Sequence, residues 1–141
     1  MRSRAAAGLT YTFDSKLSLT FEYEYDGAGL GSQAWNRLRS GDYPVYGAYR
    51  QYVLLQQDLP TLSNAFAYAT WQDLVFRHVD LTAFLREDLI DHSLLPYLEL
   101  RRHWNSVDVA FRWQTVRGDQ TSDYGASTQQ QTWQILVDLY L

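Results

Sequence analysis

The stretch Trp133-Gln-Ile-Leu-Val-Asp-Leu-Tyr-Leu141 decides the fold of this chain. Its odd-numbered positions are all apolar, whereas its even-numbered positions include Gln134, Asp138 and Tyr140. Successive side chains of a β-strand point to opposite faces, so this alternation predicts an amphipathic strand with one continuous apolar face. These nine residues also match the roughly 9–11 residues with which a tilted strand crosses a bilayer.

The same alternation recurs along the rest of the chain and predicts an all-β, antiparallel up-and-down arrangement of seven or eight strands in one segment, 1–141. In the first hairpin, pairing Phe13 with Leu17 across a three-residue turn keeps both apolar sets on one face. The stretch Tyr46 to Gln57 is either a short helix or, with part of 44–56 extended, an eighth strand. The predicted strands lie near 6–13, 17–25, 62–71, 77–86, 94–104, 107–116 and 129–141, with a long glycine-containing loop over 26–61.

Composition narrows the class of protein. The 141 residues are 46% hydrophobic and 16% aromatic, and the net charge of −4 comes from interspersed acids and bases, which argues against a nucleic-acid partner. The absence of cysteine excludes disulfides and thiolate metal sites. No apolar run approaches the roughly 20 residues of a transmembrane helix. Only a closed β-barrel could therefore carry this chain across a bilayer, because lipid offers no partners for unpaired backbone groups.

The connections between the predicted strands differ at the two ends of the sheet. The junctions at 14–16, 72–76 and 105–106 fall at one end, and those at 26–61, 87–93 and 117–128 fall at the other. The two longest junctions share an end, which is the pattern of short periplasmic turns and long external loops in transmembrane barrels. The start of the chain offers no convincing export signal, because Ala5–Leu9 is too short for a hydrophobic leader segment. We therefore expect this chain to be the C-terminal part of a longer one.

One face of the predicted sheet is charged. Counting across the Asn105-Ser106 turn places Glu99 opposite Arg112 and His103 opposite Asp108. Such a face is either a salt-bridged, solvated wall or plugged lumen, or the lining of a water-filled channel. Because both signs are present, no ion preference follows. The residues predicted to line a pore are Glu22, Glu24, His78, Asp80, Arg86, Glu99, Arg101 and Arg112, and Tyr97, His103, Asp108 and Asp138 share their face.

The opposite face is apolar and is predicted to contact lipid. Trp133, Tyr23 and Tyr25 are expected near the outer interface of the membrane, and Phe13, Trp104 and Tyr140 near the inner one, as two aromatic girdles. The predicted lipid-facing residues are Leu19, Phe21, Leu81, Leu98, Phe111, Trp113, Ile135, Val137 and Leu139.

Catalytic and metal-binding interpretations are weaker. Adjacent side chains such as those of His92 and Ser93 point to opposite faces of a strand, and Ser63-Asn64 lies on another strand, so we predict no catalytic residue. The pair His78 and Asp80 is spaced to share a strand face but has no further ligand, so we predict no metal and no cofactor. Gly27–Gly31 lacks the Lys-Ser/Thr that follows a phosphate-binding loop.

Residues 6–25 and 62–141 resemble Gram-negative outer-membrane β-barrel proteins of the porin or channel kind. The terminal strand Trp133–Leu141, the alternating hairpins and the loop Ser122-Asp-Tyr-Gly125 carry the resemblance. It implies an integral outer-membrane protein whose final strand is read by the barrel-assembly machinery. The last residue in that family is usually Phe or Trp, and here it is Leu141.

The sequence thus predicts an outer-membrane pore or channel that passes or binds small polar solutes and is gated by the loop 26–61. Because single-chain bacterial barrels have an even number of strands, upstream strands or other chains would complete it. Three alternatives remain: a soluble lipocalin-like barrel with its apolar stripes around an apolar ligand, a non-conducting envelope scaffold, and an outer-membrane enzyme whose lipid hydrolysis depends on His92.

Overall fold

Seven β-strands form one antiparallel sheet in which each strand pairs with the next along the chain. The structure is a computed structural model and describes residues 3–140. The predicted all-β, up-and-down arrangement is confirmed, and the sheet is open, since no pairing joins the first strand to the last within those residues. The strands are β1 Arg4–Thr12, β2 Leu17–Asp26, β3 Ser63–Trp71, β4 Val79–Asp88, β5 Leu94–His103, β6 Val107–Thr115 and β7 Gln131–Leu139.

The first hairpin has the predicted register. The amide of Phe13 donates to the carbonyl of Leu17 at 2.8 Å, and the amide of Lys16 donates to the carbonyl of Phe13 at 3.0 Å. Lys16 has φ 62°, the left-handed conformation that closes a three-residue hairpin loop. The pairing of Phe13 with Leu17 is therefore confirmed.

Residues 27–62, called the helical insert below, correct the prediction of an irregular loop. They contain α1 Ser32–Arg39 and α2 Tyr43–Gln56, so 44–56 is not an eighth strand. Pro44 lies in the first turn of α2, where its missing amide hydrogen costs nothing. The helix ends where Gln57 adopts φ 54° and donates its amide to the carbonyl of Leu54 at 3.2 Å. Neither helix found in residues 3–140 is long and apolar enough to cross a membrane.

The helical insert has a small aromatic core of its own. Trp35 is fully buried, and its ring centroid lies 6.0 Å from that of Tyr46 and 6.4 Å from that of Tyr49. Val53, two turns after Tyr46 on α2, is buried on the same side of the helix. The hydroxyl of Tyr46 donates to the carbonyl of Thr121 at 3.0 Å, which ties this core to the β6–β7 loop.

The three short turns meet at the other end of the sheet. The ammonium of Lys16 lies 2.6 Å from the carboxylate of Asp73, which joins the β1–β2 and β3–β4 turns. The amide of His103 donates to the carbonyl of His78 at 2.8 Å, and the amide of Tyr140 donates to the carbonyl of Ser106 at 2.9 Å. The grouping of junctions at two ends is confirmed, and the assignment of an end to the periplasm stays a prediction.

The strands leave most of their apolar side chains exposed. Among the described residues, Ala110 is the only buried apolar residue that lies in a strand. In contrast, Ile135 is 75% exposed and Leu139 is 74% exposed. A soluble domain normally hides such residues in its core. The sheet therefore presents one large apolar face that no other described part of the chain covers.

Two glycine substitutions test the packing of the loop end. A Cβ on Gly125 would lie 2.2 Å from the carbonyl oxygen of Asp119, whereas a Cβ on Gly47 in α2 would meet no atom within 4 Å. We expect Gly125→Ala to lower the free energy of unfolding by about 1–3 kcal/mol through overpacking. Gly47→Ala should raise it by about 0.5–1 kcal/mol through helix propensity. Denaturant titration of the full chain measures both, and equal stability of the two variants would contradict this packing.

Candidate functional site: the polar face of the sheet

The polar face is the side of the sheet that carries the even-numbered side chains of β1 to β4, β6 and β7 and the odd-numbered side chains of β5 from Leu95 to His103. The strand register sets Glu99 directly opposite Arg112 and His103 opposite Asp108. Both cross-strand pairs were predicted from the turn at Asn105-Ser106, and both are confirmed. A shift of this register by one residue would have moved every charged side chain of the strand to the apolar side.

Glu99 is the centre of a hydrogen-bonded network on this face. It accepts the hydroxyl of Tyr97 at 2.9 Å and Nε of Arg101 at 3.0 Å, and it also pairs with Arg112. Its side chain is only 12% exposed. Charge-assisted hydrogen bonds from two guanidinium groups compensate for the removal of this carboxylate from water.

Arg101 and His103 extend the network to both sides. Nη1 of Arg101 lies 3.0 Å from Asp138 on β7. The two ring nitrogens of His103 face two carboxylates, with Nδ1 at 2.8 Å from Asp108 and Nε2 at 3.3 Å from Asp80 on β4. The network thus crosses β4, β5, β6 and β7 without a break, and it fixes side chains that would otherwise be free to move.

The remaining predicted pore-lining residues lie toward the ends of the face. Glu22 and Glu24 on β2 are exposed, and the guanidinium of Arg86 stacks 5.3 Å from the ring centroid of Phe66. His78 is not on a strand: it lies in the turn before β4, with φ 67°, and its amide donates to Asp73 at 2.7 Å. His103, and not His78, is the histidine that faces Asp80.

A row of aromatic rings on the polar face was not singled out from the sequence. The rings of Phe84 and Tyr97 stack at 4.7 Å with an angle of 10° between their planes, and Phe66 lies 5.8 Å from Phe84. Their faces contact each other, so the row forms part of the wall. The sequence gives only a weak signal for this row, because the three rings lie on three different strands. On each strand the ring occupies one position among the polar residues of that face.

The helical insert lies against the loop end of the polar face. The hydroxyl of Thr61 donates to Asp88 at 2.6 Å, and Asp58 pairs with Arg4 of β1. A small cavity of about 40 Å³, large enough for one water, lies between Leu59 of the insert and the strands. Its lining combines polar-face residues of the strands with residues of the insert and the β6–β7 loop: Glu22, Glu24, Asn64, Phe66, Arg86, Leu59 and Tyr124. The insert therefore borders the loop end of the polar face.

All nine predicted lipid-facing residues lie on the opposite side of the sheet. Phe21, Phe111, Ile135, Val137 and Leu139 are exposed, and the other four are half-buried. Four of the predicted girdle residues are exposed. Tyr23 and Trp133 lie in the half of the sheet nearer the long loops, and Phe13 and Trp104 lie at the short turns. The hydroxyl of Tyr140 donates to Asp108 at 2.9 Å, so this side chain joins the polar network, and Leu141 lies outside the described residues.

The weaker candidates do not form a reactive arrangement. Ser93 is fully buried and its hydroxyl accepts the amide of Tyr124 at 3.1 Å, whereas Nδ1 of the exposed His92 faces Glu87 at 3.1 Å. The two side chains diverge, so His92 is not placed to activate Ser93. Between residues 3 and 140, no three His, Asp or Glu side chains are grouped so as to hold a metal ion.

The network makes a quantitative prediction. Glu99→Gln leaves Arg101 and Arg112 with one carboxylate fewer, and we expect a loss of about 1–3 kcal/mol of unfolding free energy. A double-mutant cycle with Arg112→Gln should give a coupling energy of about 1 kcal/mol or more. The matched control is Glu24→Gln, an exposed carboxylate on the same face, whose cycle with Arg112→Gln should give a coupling near zero. Equal coupling in both cycles would contradict the network.

Comparisons with known proteins add no identification. No protein-family model, no curated protein and no solved structure matches this chain. The functional proposal therefore rests on the two faces of the sheet and on the helical insert at the loop end of the polar face.

Proposed function

We propose that this chain forms part of an outer-membrane β-barrel pore that passes or binds small polar solutes. In this proposal the apolar face contacts lipid in the outer membrane of a Gram-negative bacterium. The polar face lines a water-filled lumen, and the helical insert narrows its external mouth. The proposal includes no enzymatic step and no cofactor.

The inverted burial of the two faces is the observation that carries the proposal. The side chains of Glu99 and Asp108 are among the sheltered ones, whereas Val137 and Leu139 are among the most exposed. In water the opposite arrangement is favoured, because each Å² of apolar surface that stays exposed to water forgoes about 25 cal/mol of stabilising free energy. Lipid against the apolar face removes this cost and leaves the charges on the side where water can enter.

The strand count sets a condition on how such a barrel closes. β1 and β7 are separated by an even number of strand reversals, so they run in the same direction. A ring of identical copies would place β7 of one copy parallel to β1 of the next. A closed barrel in which all neighbouring strands are antiparallel has an even number of strands. It therefore needs an odd number of additional strands between β7 and β1. These strands are proposed to come from another segment or another chain.

The terminal strand has the properties of an assembly signal. β7 pairs with β6 on one side, and its other edge has no partner among the described strands. An exposed edge with a continuous apolar face is a template for pairing with another strand. We propose that the barrel-assembly machinery reads the segment Trp133–Leu141 through this edge.

A soluble lipocalin-like barrel is the less favoured alternative. It would need the apolar stripes on the sheltered side, whereas here the charged network is the sheltered side. A non-conducting scaffold barrel remains the alternative that shares this geometry, because the network from Asp80 to Asp138 could fill the lumen instead of lining it.

Adjacent residues of β7 provide a matched test of the membrane-facing side. Ile135→Arg places a charge on the apolar face, and Gln134→Arg places the same charge one residue away on the polar face. We expect Ile135→Arg to weaken insertion into vesicles by about 2–4 kcal/mol if this position lies near the bilayer midplane, and Gln134→Arg to change it by less than about 1 kcal/mol. Refolding titrations into phospholipid vesicles measure both, and equal effects would contradict the assignment of the faces.

Conductance tests the pore itself. Planar bilayers that contain the full-length protein should show discrete current steps at neutral pH, because the polar face lines an aqueous path. Heat-denatured protein is the control for detergent leakage. Folded, membrane-inserted protein that gives no current would favour the scaffold alternative.

A further inference from the structure

Charged side chains take part in the contact between the helical insert and the loops beside it. Asp91, in the β4–β5 loop, accepts Nε1 of Trp35 at 2.8 Å, and Arg39 lies between Asp91 and Asp119 at 3.9 and 2.8 Å. On the second helix, Arg50 binds the carboxylate of Asp123 at 2.7 Å and its carbonyl at 2.9 Å. Separating the insert from the loops would therefore break these ion pairs and hydrogen bonds.

The charges at this contact do not balance. The side chains of Asp88 and Asp91 are fully buried and that of Asp123 is 11% exposed, so three carboxyl groups are enclosed. Two guanidinium groups, from Arg39 and Arg50, face them. The amide of Asp123 donates to Asp91 at 2.8 Å, which brings two of these acidic residues together. Like charges in a poorly solvated site disfavour full ionisation, so docking the insert favours the uptake of a proton.

We propose that the helical insert is an acid-closed lid, whose docking on the β4–β5 and β6–β7 loops is coupled to protonation of Asp123. The proposal rests on the proposed pore for its functional meaning, because the insert borders the loop end of the polar face. The docking equilibrium itself does not depend on conduction.

The direction of the pH effect follows from the surroundings of Asp123. Burial raises the pKa of its carboxyl to about 6; Arg50 opposes this rise, and the neighbouring Asp88 and Asp91 add to it. In an undocked insert the carboxyl would return toward its ordinary 3.8. A folded-state pKa above the free value means that the docked form gains stability as the pH falls through 6 and loses it as the pH rises.

The other titratable groups at this contact do not reverse that direction. Burial raises the pKa of Asp91, but hydrogen bonds from Ser93, from the amide of Asp123 and from Trp35 together hold it below its ordinary value, so it stays ionised above pH 4. Burial raises the pKa of Tyr49 to about 12. The remaining charged and titratable groups near Asp123 are Arg39, Arg50, Arg86, Asp88, Asp119, Tyr46, Tyr124 and the exposed His92.

The test follows the distance between the insert and the loop. These 141 residues contain no cysteine, so Ala48→Cys on α2 and Thr128→Cys in the β6–β7 loop, both exposed, would introduce the two labelling sites for nitroxides in this chain. In detergent-folded full-length protein, the ratio of docked to undocked distances should rise roughly tenfold between pH 7.5 and pH 5. An unchanged ratio in this otherwise unaltered protein would overturn the proposal.

Two further substitutions assign the response. Asp123→Asn mimics the protonated carboxyl and should stay docked at both pH values. His92→Gln should keep the wild-type response, because His92 faces Glu87 and not the insert. A response that persists in Asp123→Asn, or that disappears in His92→Gln, would overturn the role of Asp123.

Conductance recorded on the same samples separates this proposal from the pore. Acid-induced docking in a protein that never conducts supports the lid and counts against the pore. If the protein conducts current but the distance between its labels does not change with pH, the result supports the pore and overturns the lid. If the pore and the lid are both correct, the channel should have a lower open probability at pH 5 than at pH 7.5.

Discussion

The rest of the structure depends on the separation of charge and apolar surface onto opposite sides of one sheet. Each strand places neighbouring side chains on opposite faces, so a single register fixes both faces at once. Glu99, Arg101 and Arg112 meet because the β5–β6 register aligns them, and the same register aligns Leu98 with Trp113 and Leu100 with Phe111. The charged network and the exposed apolar face are thus two consequences of one backbone arrangement.

This arrangement explains why a small helical insert matters to the whole molecule. The strands contribute almost nothing to a buried apolar core in the described residues, and Trp35, Tyr46 and Val53 of the insert form most of it. The insert is joined to the loops by Arg39, Arg50 and their carboxylate partners. Its contacts with the loops link the most compact part of the chain to the end of the surface proposed to conduct solutes.

The charged groups have different roles along the sheet. In the middle of the polar face, Glu99 is neutralised by two arginines, so this region favours a fixed wall. At the loop end, enclosed carboxyl groups outnumber the guanidinium groups that face them. An excess of enclosed acid makes the loop-end cluster sensitive to pH.

The sequence by itself determined the strands, their faces and the nearest cross-strand pairs. Alternation and turn length predicted each strand within two residues of its observed ends, and counting across one turn paired Glu99 with Arg112, because these features depend on neighbours along the chain. Only the tertiary structure showed α1, the contact of Trp35 with Asp91 and that of Arg50 with Asp123. Those partners lie far apart in sequence, and their meeting depends on how three separate loops pack, which no local pattern records.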